Sequence, residues 1–323
     1  MINVDKNTFL DINLKAINKN YKIIKQIVGR KCIIAATVKA NAYGLGADQV
    51  VNSLIKKGCK YFFVATTNEA IYLRKLNKKI FIFILNGLVT NELKYIRKFN
   101  LIPVINNLAQ LKKIENYQKE NNCFLNIAIH FDTGMSRLGL DQNETENLIK
   151  NKALLIKKSK LRLIMSHLSC ADDKKSKLNK IQLNKFNFIK SHFPNCLCSL
   201  SNSAGILLGK KYHFDMVRPG ISLYGGQCQI NEKIIYENVV SIKAKLIQIR
   251  EIYKGDTIGY GATFKAKSKM KIGTLGFGYA GQFPNVEVER DAVRLKTDYV
   301  GSMFCGSVEI ADTYGVEIQS KVT

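Results

Sequence analysis

CIIAATVKANAYGLG, residues 32–46, runs through apolar residues to a lone lysine, Lys39, then passes into small residues, a tyrosine and two glycines. The apolar part does not alternate with polar residues, as is typical of a parallel strand covered on both faces. ADQVVNSLIKKG (47–58) follows with helical spacing of its apolar positions. The stretch is therefore one strand–turn–helix unit, and the same unit recurs outward from it.

Further strand-like runs are YFFVAT (61–66), IFIFIL (80–85), LIPVIN (101–106), FLNIAIHF (124–131), LRLIMSHL (161–168), CLCSLS (196–201) and MVRPGISLYG (216–225). Between them lie helical candidates such as NEAIYLRKL, NELKYIRKF, LAQLKKIENYQ, NETENLIKNK and the stretch 174–191. Ahead of them, residues 11–28 read as an opening helix with Ile12, Leu14, Ile17, Ile23, Ile24 and Ile27 as apolar positions. Eight strands alternating with helices predict a (β/α)8 barrel. A doubly wound open sheet is the alternative, but it would carry a G-x-G-x-x-G loop after its first strand, and none is present. Past residue 230 the pattern changes. VVSIKAKLIQIREIYKGDTIGYGATFKA and MKIGTLGFGYA alternate more strictly and are broken by glycine, as antiparallel strands are. The expected division is a barrel over 1–230 and a mostly antiparallel all-β domain over 231–323.

Composition narrows the function classes. The 323 residues hold 46% hydrophobic residues, enough for a large core. Net charge is 50 − 25 = +25, which raises nucleic acid as a partner. The lysines are scattered and form no tail or stripe interleaved with aromatics, so no nucleic-acid role is expected. The longest apolar stretch, IFIFILNGLV (80–89), is too short to cross a bilayer. The first residues carry Asp5 and Asp11 and no apolar h-region, so the expectation is a cytoplasmic protein with no secretory leader. The eight cysteines form no C-x-x-C pair and no metal-ligand pattern with the four histidines. No metal is expected.

On such a barrel, chemistry gathers at the C-terminal ends of the strands. Lys39 ends the first strand, Arg137 follows the fifth, His167 ends the sixth and Ser203 follows the seventh; Arg218 and Gly220 lie in the eighth run. An amine leaving an apolar strand is either a desolvated base or a partner for a carbonyl group. A snorkelling surface lysine is the plainer reading.

VKANAYGLG, DTGMSRLG, MSHLSCAD, SNSAG, VRPGISLYG and GDTIGYGATF, in this order, together resemble bacterial alanine racemases, which use pyridoxal 5′-phosphate (PLP). The resemblance implies an isomerase interconverting L- and D-alanine for cell-wall precursors, built as a barrel plus a C-terminal β domain. By motif, Lys39 would hold PLP covalently. Tyr43, Ser203 and the backbone of Gly220 and Ile221 would reach the phosphate. Arg218 would face the pyridine nitrogen, and His167 would support Arg218 or stack on the cofactor's surroundings. Because an arginine keeps its proton, that nitrogen stays unprotonated and the electron sink is weaker than in decarboxylases of this fold. Lys39 and Tyr260 would be the two bases on opposite faces of the substrate. Arg137 would reach toward Tyr260 and the substrate carboxylate; Tyr279 and Cys305 would line the substrate side. Tyr260 acts across subunits in the family, which implies a homodimer with shared sites.

The chain departs from the family pattern in places. His130 stands where family members often carry a carbamylated lysine, so Arg137 is held by other means. Cys305 and Gly306 replace Met-Asp, and GYAGQFP stands for GYADG. The chain ends at Thr323, before a family tyrosine that touches the phosphate, so weaker cofactor binding is expected. Three other readings remain: a PLP carrier without racemase activity, a racemase or decarboxylase for another amino acid, and a nucleic-acid binder.

Overall fold

The computed structural model describes residues 8–89, 92–156, 159–262, 264–275 and 308–309. By contacts these fall into two units, one of residues 13–239 and one of residues 8–12 together with the described residues from 240 onward.

In the larger unit, helix α1 (Leu14–Val28) is capped by Asn13, whose side chain accepts from the Ala16 N–H. It buries Ala16, Ile17, Asn20, Tyr21, Ile24 and Val28, a single helical face. The parallel strands that follow are Ile33–Thr37, Tyr61–Val64, Phe81–Ile84, Ile102–Ile105, Leu125–His130, Ser159–Met165, Leu197–Ser199 and Met216–Val217. The first seven pair in chain order, each with the next, and the eighth pairs with the first, so the seventh and eighth stand at the two ends of the sheet order. Between the two end members of this order, the Asp215 N–H donates to Cys198 O at 3.1 Å. The Arg218 N–H likewise donates to Ser201 O at 2.9 Å. Ser199 Oγ donates to Met216 O at 2.7 Å. This closure gives a barrel, and the open doubly wound alternative is set aside.

Ala35, Phe63, Phe83, Ile102, Val104, Ala128, Leu163, Met165 and Met216 fill the barrel interior. The Phe63 and Phe83 rings stack at 4.7 Å between centroids. Burying each such side chain is worth roughly 1.5–3 kcal/mol, so the strands are held mainly by their own apolar runs. Helices Ala47–Lys56, Thr67–Leu76, Leu93–Lys98, Leu108–Glu120, Gln142–Leu155 and Lys177–Ser191 alternate with the strands.

Two sequence expectations change. Residues 11–12 are not helical. They end a strand, Thr8–Ile12, that pairs antiparallel with Val240–Ala244 in the smaller unit. Asn13 stops that strand because its side chain is used as a helix cap. The eighth barrel strand is only Met216–Val217; Arg218 lies just beyond it, and Ile221–Tyr224 is a 3-10 turn. Pro219 has no N–H to continue a ladder, and Gly225 at φ 83° ends the turn.

The other described strands of the smaller unit are Leu246–Ile252, Thr257–Ile258, Phe264–Lys265, Met270–Leu275 and Val308–Glu309. Every pairing there is antiparallel. No helix among the described residues is long and apolar enough to cross a membrane.

Candidate active site at the barrel rim

Strand Ile33–Thr37 delivers Lys39 to the C-terminal rim, half-buried, at the start of a one-turn segment, Lys39–Tyr43. Ala40, Asn41, Ala42 and Tyr43 all have φ between 52° and 57°. Four consecutive non-glycine residues in this left-handed region cost roughly 1–2 kcal/mol each. Hydrogen bonds offset the cost. The Ala42 N–H donates to Val38 O at 2.9 Å and the Gly44 N–H to Ala40 O at 2.8 Å. Asn41 accepts twice: its Oδ1 from the Ala47 N–H at 2.8 Å, its backbone oxygen from the Gly46 N–H at 3.0 Å.

The turn aims the Tyr43 hydroxyl at Gly220. A Cβ placed on Gly220 would overlap that oxygen and lie 3.2 Å from the ring carbon bearing it, so the glycine is what lets the phenol approach. Beside them, Ser203 Oγ accepts from the Gly220 N–H at 2.9 Å and the Ser222 N–H at 3.2 Å, and the Ser222 hydroxyl donates to it at 3.0 Å. Convergent backbone N–H groups and hydroxyls of this kind form a cradle suited to a phosphate. The helix cap here is Asn202, whose Oδ1 accepts from the Gly205 N–H at 2.9 Å, so Ser203 is left to the cradle. Tyr224 backs it, its ring 4.7 Å from that of Tyr43 and its hydroxyl donating to Thr37 O at 3.0 Å.

Ser222 was not among the residues expected from the sequence. Its signal is a polar residue inside the apolar turn ISLY. Ile221, the expected cradle member, flanks these contacts and is partly exposed.

Arg218 is buried, with no carboxylate in its hydrogen bonds. Its guanidinium donates to Ser199 Oγ, Ser166 O and, at 3.3 Å, Leu200 O, and it lies 6.0 Å from the Phe63 ring centroid. Burial lowers its pKa to about 9, so it stays charged at neutral pH. A buried cation held only by neutral acceptors leaves its positive field available to an electron-rich ligand atom.

His167 feels burial first and then the charges of Arg218 and Arg137, with His130 and Lys39 adding to them; together they hold its pKa well below the usual value. The neutral ring faces Asn202 Nδ2, 3.3 Å from its Nε2. Because Asn202 Oδ1 is used by Gly205, its amide nitrogen is the donor and His167 Nε2 the acceptor. Arg137 stands exposed on the loop after strand Leu125–His130. Asp132 shapes that loop: its Oδ1 accepts from the Gly134 and Met135 N–H groups at 2.9 Å each and from Ser136 at 3.2 Å. Burial pushes the Asp132 carboxyl up, and these backbone donors, with His130, bring it below its ordinary value.

The rim therefore brings together Lys39, Tyr43, Ser203, Gly220 and Arg218, with His167 and Arg137 near enough to share their charges. Tyr260 belongs to the smaller unit, where it opens the 3-10 turn Tyr260–Ala262. Tyr279, Cys305 and Gly306 lie outside the described residues. Among the described residues no cluster of His, Cys, Asp or Glu could hold a metal ion. The donors present suit PLP: a phosphate cradle, a lysine at the adjoining strand end and an arginine with no carboxylate.

Known proteins bear on this arrangement. A family model described as "Alanine racemase, N-terminal domain" matches residues 12–228, and "Alanine racemase, C-terminal domain" matches residues 239–305. An alanine racemase of Rickettsia bellii is 44% identical over 256 residues, which is 79% of this chain and 62% of that protein. That match thus spans under two thirds of the relative's length. One from Rickettsia prowazekii is 36% identical over 318 residues, with 85% and 78% covered. Among solved structures, alanine racemase from Bartonella henselae "with covalently bound pyridoxal phosphate" aligns at TM-score 0.79 and 34% identity, covering 87% of this chain and 78% of that one. The biosynthetic alanine racemase of Pseudomonas aeruginosa aligns at TM-score 0.76 and 30% identity, with 88% and 79% covered. With family models over most of its length and relatives above 30% identity across more than two thirds of theirs, the chain belongs to the alanine racemase family.

Proposed function

We propose that this protein is a PLP-dependent isomerase that interconverts L- and D-alanine in the cytoplasm, as a homodimer whose sites are shared. The observation that carries the reading is the cradle of Ser203, Gly220, Ser222 and Tyr43 beside the strand-end Lys39. When bound, PLP supplies an electron sink that makes the substrate's α-proton removable. The rest falls to the chain's own residues. Lys39 would hold the cofactor, and its amine would exchange a proton at one face of the substrate's Cα. Tyr260 exchanges it at the other, since inverting the centre needs a donor opposite the acceptor. Arg218 keeps its proton at neutral pH and would face the cofactor's ring nitrogen as a hydrogen-bond donor, leaving that nitrogen without a proton of its own. His167, neutral and turned by Asn202, keeps a further positive charge out of the site. Arg137 fits the substrate carboxylate with its guanidinium fork. Tyr279 and Cys305, outside the described residues, would serve the substrate side by their place in the family motifs.

The test is borohydride reduction followed by peptide mass analysis, together with a chiral assay of alanine. A pyridoxyl group on Lys39 and conversion of L- to D-alanine are expected. Tyr260→Phe should lower turnover by about 10²–10⁴-fold, the range for losing a positioned proton carrier. A Tyr260→Phe variant as fast as the parent would remove the second base from the mechanism, and an unmodified Lys39 would remove the whole reading.

A further inference from the structure

The turn that orients Lys39 is gripped from a different element. Glu69 is the third residue of helix Thr67–Leu76, which it caps reciprocally with Thr66. Its Oε2 accepts from the Ala65 N–H at 2.7 Å and the Thr66 N–H at 3.2 Å; Thr66 Oγ1 accepts from the Glu69 N–H at 3.3 Å. A capping box needs no more than this. Yet Oε1 is directed elsewhere and accepts from the N–H of Ala40, 29 positions away, at 2.7 Å.

Ala40 follows Lys39 directly and is the first of the four positive-φ residues. The bonds within the turn begin with the Ala42 N–H to Val38 and continue with Gly44 to Ala40. The Ala40 amide is outside that set, at the point where the chain changes hand. A carboxylate is well suited here because both oxygens accept, and charge-assisted bonds to N–H groups are stronger than neutral ones.

We propose that Glu69 is a positioning residue for Lys39: by holding the Ala40 amide it fixes the direction in which the Lys39 side chain leaves its strand. This rests on the reading of Lys39 as the cofactor-bearing residue. Glutamine at this position has one neutral acceptor oxygen, so whichever way its amide turns the Ala40 N–H either faces an NH₂ or keeps only a weaker, uncharged acceptor. Thr66→Ala removes the opposite half of the capping box and leaves the Ala40 bond untouched. The pair separates capping from positioning.

Amide exchange over residues 38–46 in cofactor-free protein, and the rate at which hydroxylamine strips cofactor from the loaded protein, are the readouts, with Tm as control. Glu69→Gln should speed exchange at Ala40 about tenfold, the loss of one charge-assisted bond, and should speed cofactor stripping. Thr66→Ala should lower Tm and leave both rates near the parent's. Parent-like exchange at Ala40 in Glu69→Gln, or identical shifts in the two variants, overturns the proposal. An unmodified Lys39 after borohydride reduction of the parent overturns the functional reading instead, and is told apart because the exchange comparison needs no cofactor.

Discussion

His130 is buried at the end of strand Leu125–His130, its Nδ1 3.0 Å from Asn106 Oδ1. Asn106 spends its amide hydrogens on Leu85 O and Val104 O, so its oxygen accepts and His130 Nδ1 carries the proton. Burial, then the positive charges of Arg218 and Arg137, depress the His130 pKa to about 3. The position therefore carries a neutral ring and supplies no negative charge to Arg137. Linkage gives a pH dependence. The unfolded histidine takes up a proton near pH 6.5 and the folded one only near 3, so between those values the unfolded chain binds more protons. Stability from this residue is fully present above about pH 6.5 and is lost as pH falls toward 3. Each such group adds a slope of about 1.4 kcal/mol per pH unit, and His167 acts in the same direction. Denaturation midpoints measured from pH 7 down to 4.5 should fall, and His130→Gln should remove one proton's share of the slope. An unchanged slope would mean that His130 is protonated in the folded state. Lys39 stood out in the sequence because it interrupts an apolar run. Asn106, Ser222 and Glu69 did not, because each acquires its role from a partner supplied by a different turn or element.

The loop between strand Leu125–His130 and helix Gln142–Leu155 shows how a segment without regular structure positions a side chain. Phe131 and Leu140 form an isolated parallel bridge. The Asp132 N–H donates to Leu140 O at 2.9 Å and the Leu140 N–H to His130 O at 2.8 Å. Arg137 rides on the loop so closed. Gly139, at φ 105°, makes the closure possible: a Cβ there would lie 2.8 Å from Asp132 N, 2.9 Å from Phe131 C and 3.2 Å from His130 C, all backbone atoms that cannot swing aside. Gly139→Ala should cost at least about 2 kcal/mol, combining left-handed strain with a backbone clash. It should also weaken substrate binding through Arg137. Urea midpoints and the KM for alanine check the two parts, and a variant as stable as the parent would mean the loop closes some other way. The parallel strands were legible in the sequence because burial on both faces demands apolar runs. The left-handed turn was not, since Ala40, Asn41, Ala42 and Tyr43 include no glycine to announce positive φ. The short last strand was overread because PGISLY is as apolar as a strand but contains a proline that ends one.

At the scale of the molecule, the chain's earliest described strand, Thr8–Ile12, pairs with residues 240–244. No local pattern could announce a pairing across more than two hundred residues, so its last two residues, 11–12, read as the start of a helix. The same division separates the two proposed bases, Lys39 in the larger unit and Tyr260 in the smaller. If each site takes Lys39 from one protomer and Tyr260 from its partner, two inactive variants must rescue one another. A dimer of one Lys39→Ala chain with one Tyr260→Phe chain holds one site with both changes and one with neither. Random reassociation of equal amounts makes half the dimers mixed, each with one of two sites intact, so about a quarter of the parent activity returns. The chains each carry +25 and repel at low ionic strength. Mixing therefore belongs at about 0.15 M salt or above, where the screening length is about 8 Å. Were both bases contributed by one chain, every site in every mixture would carry one substitution and activity would stay at the level of the separate variants.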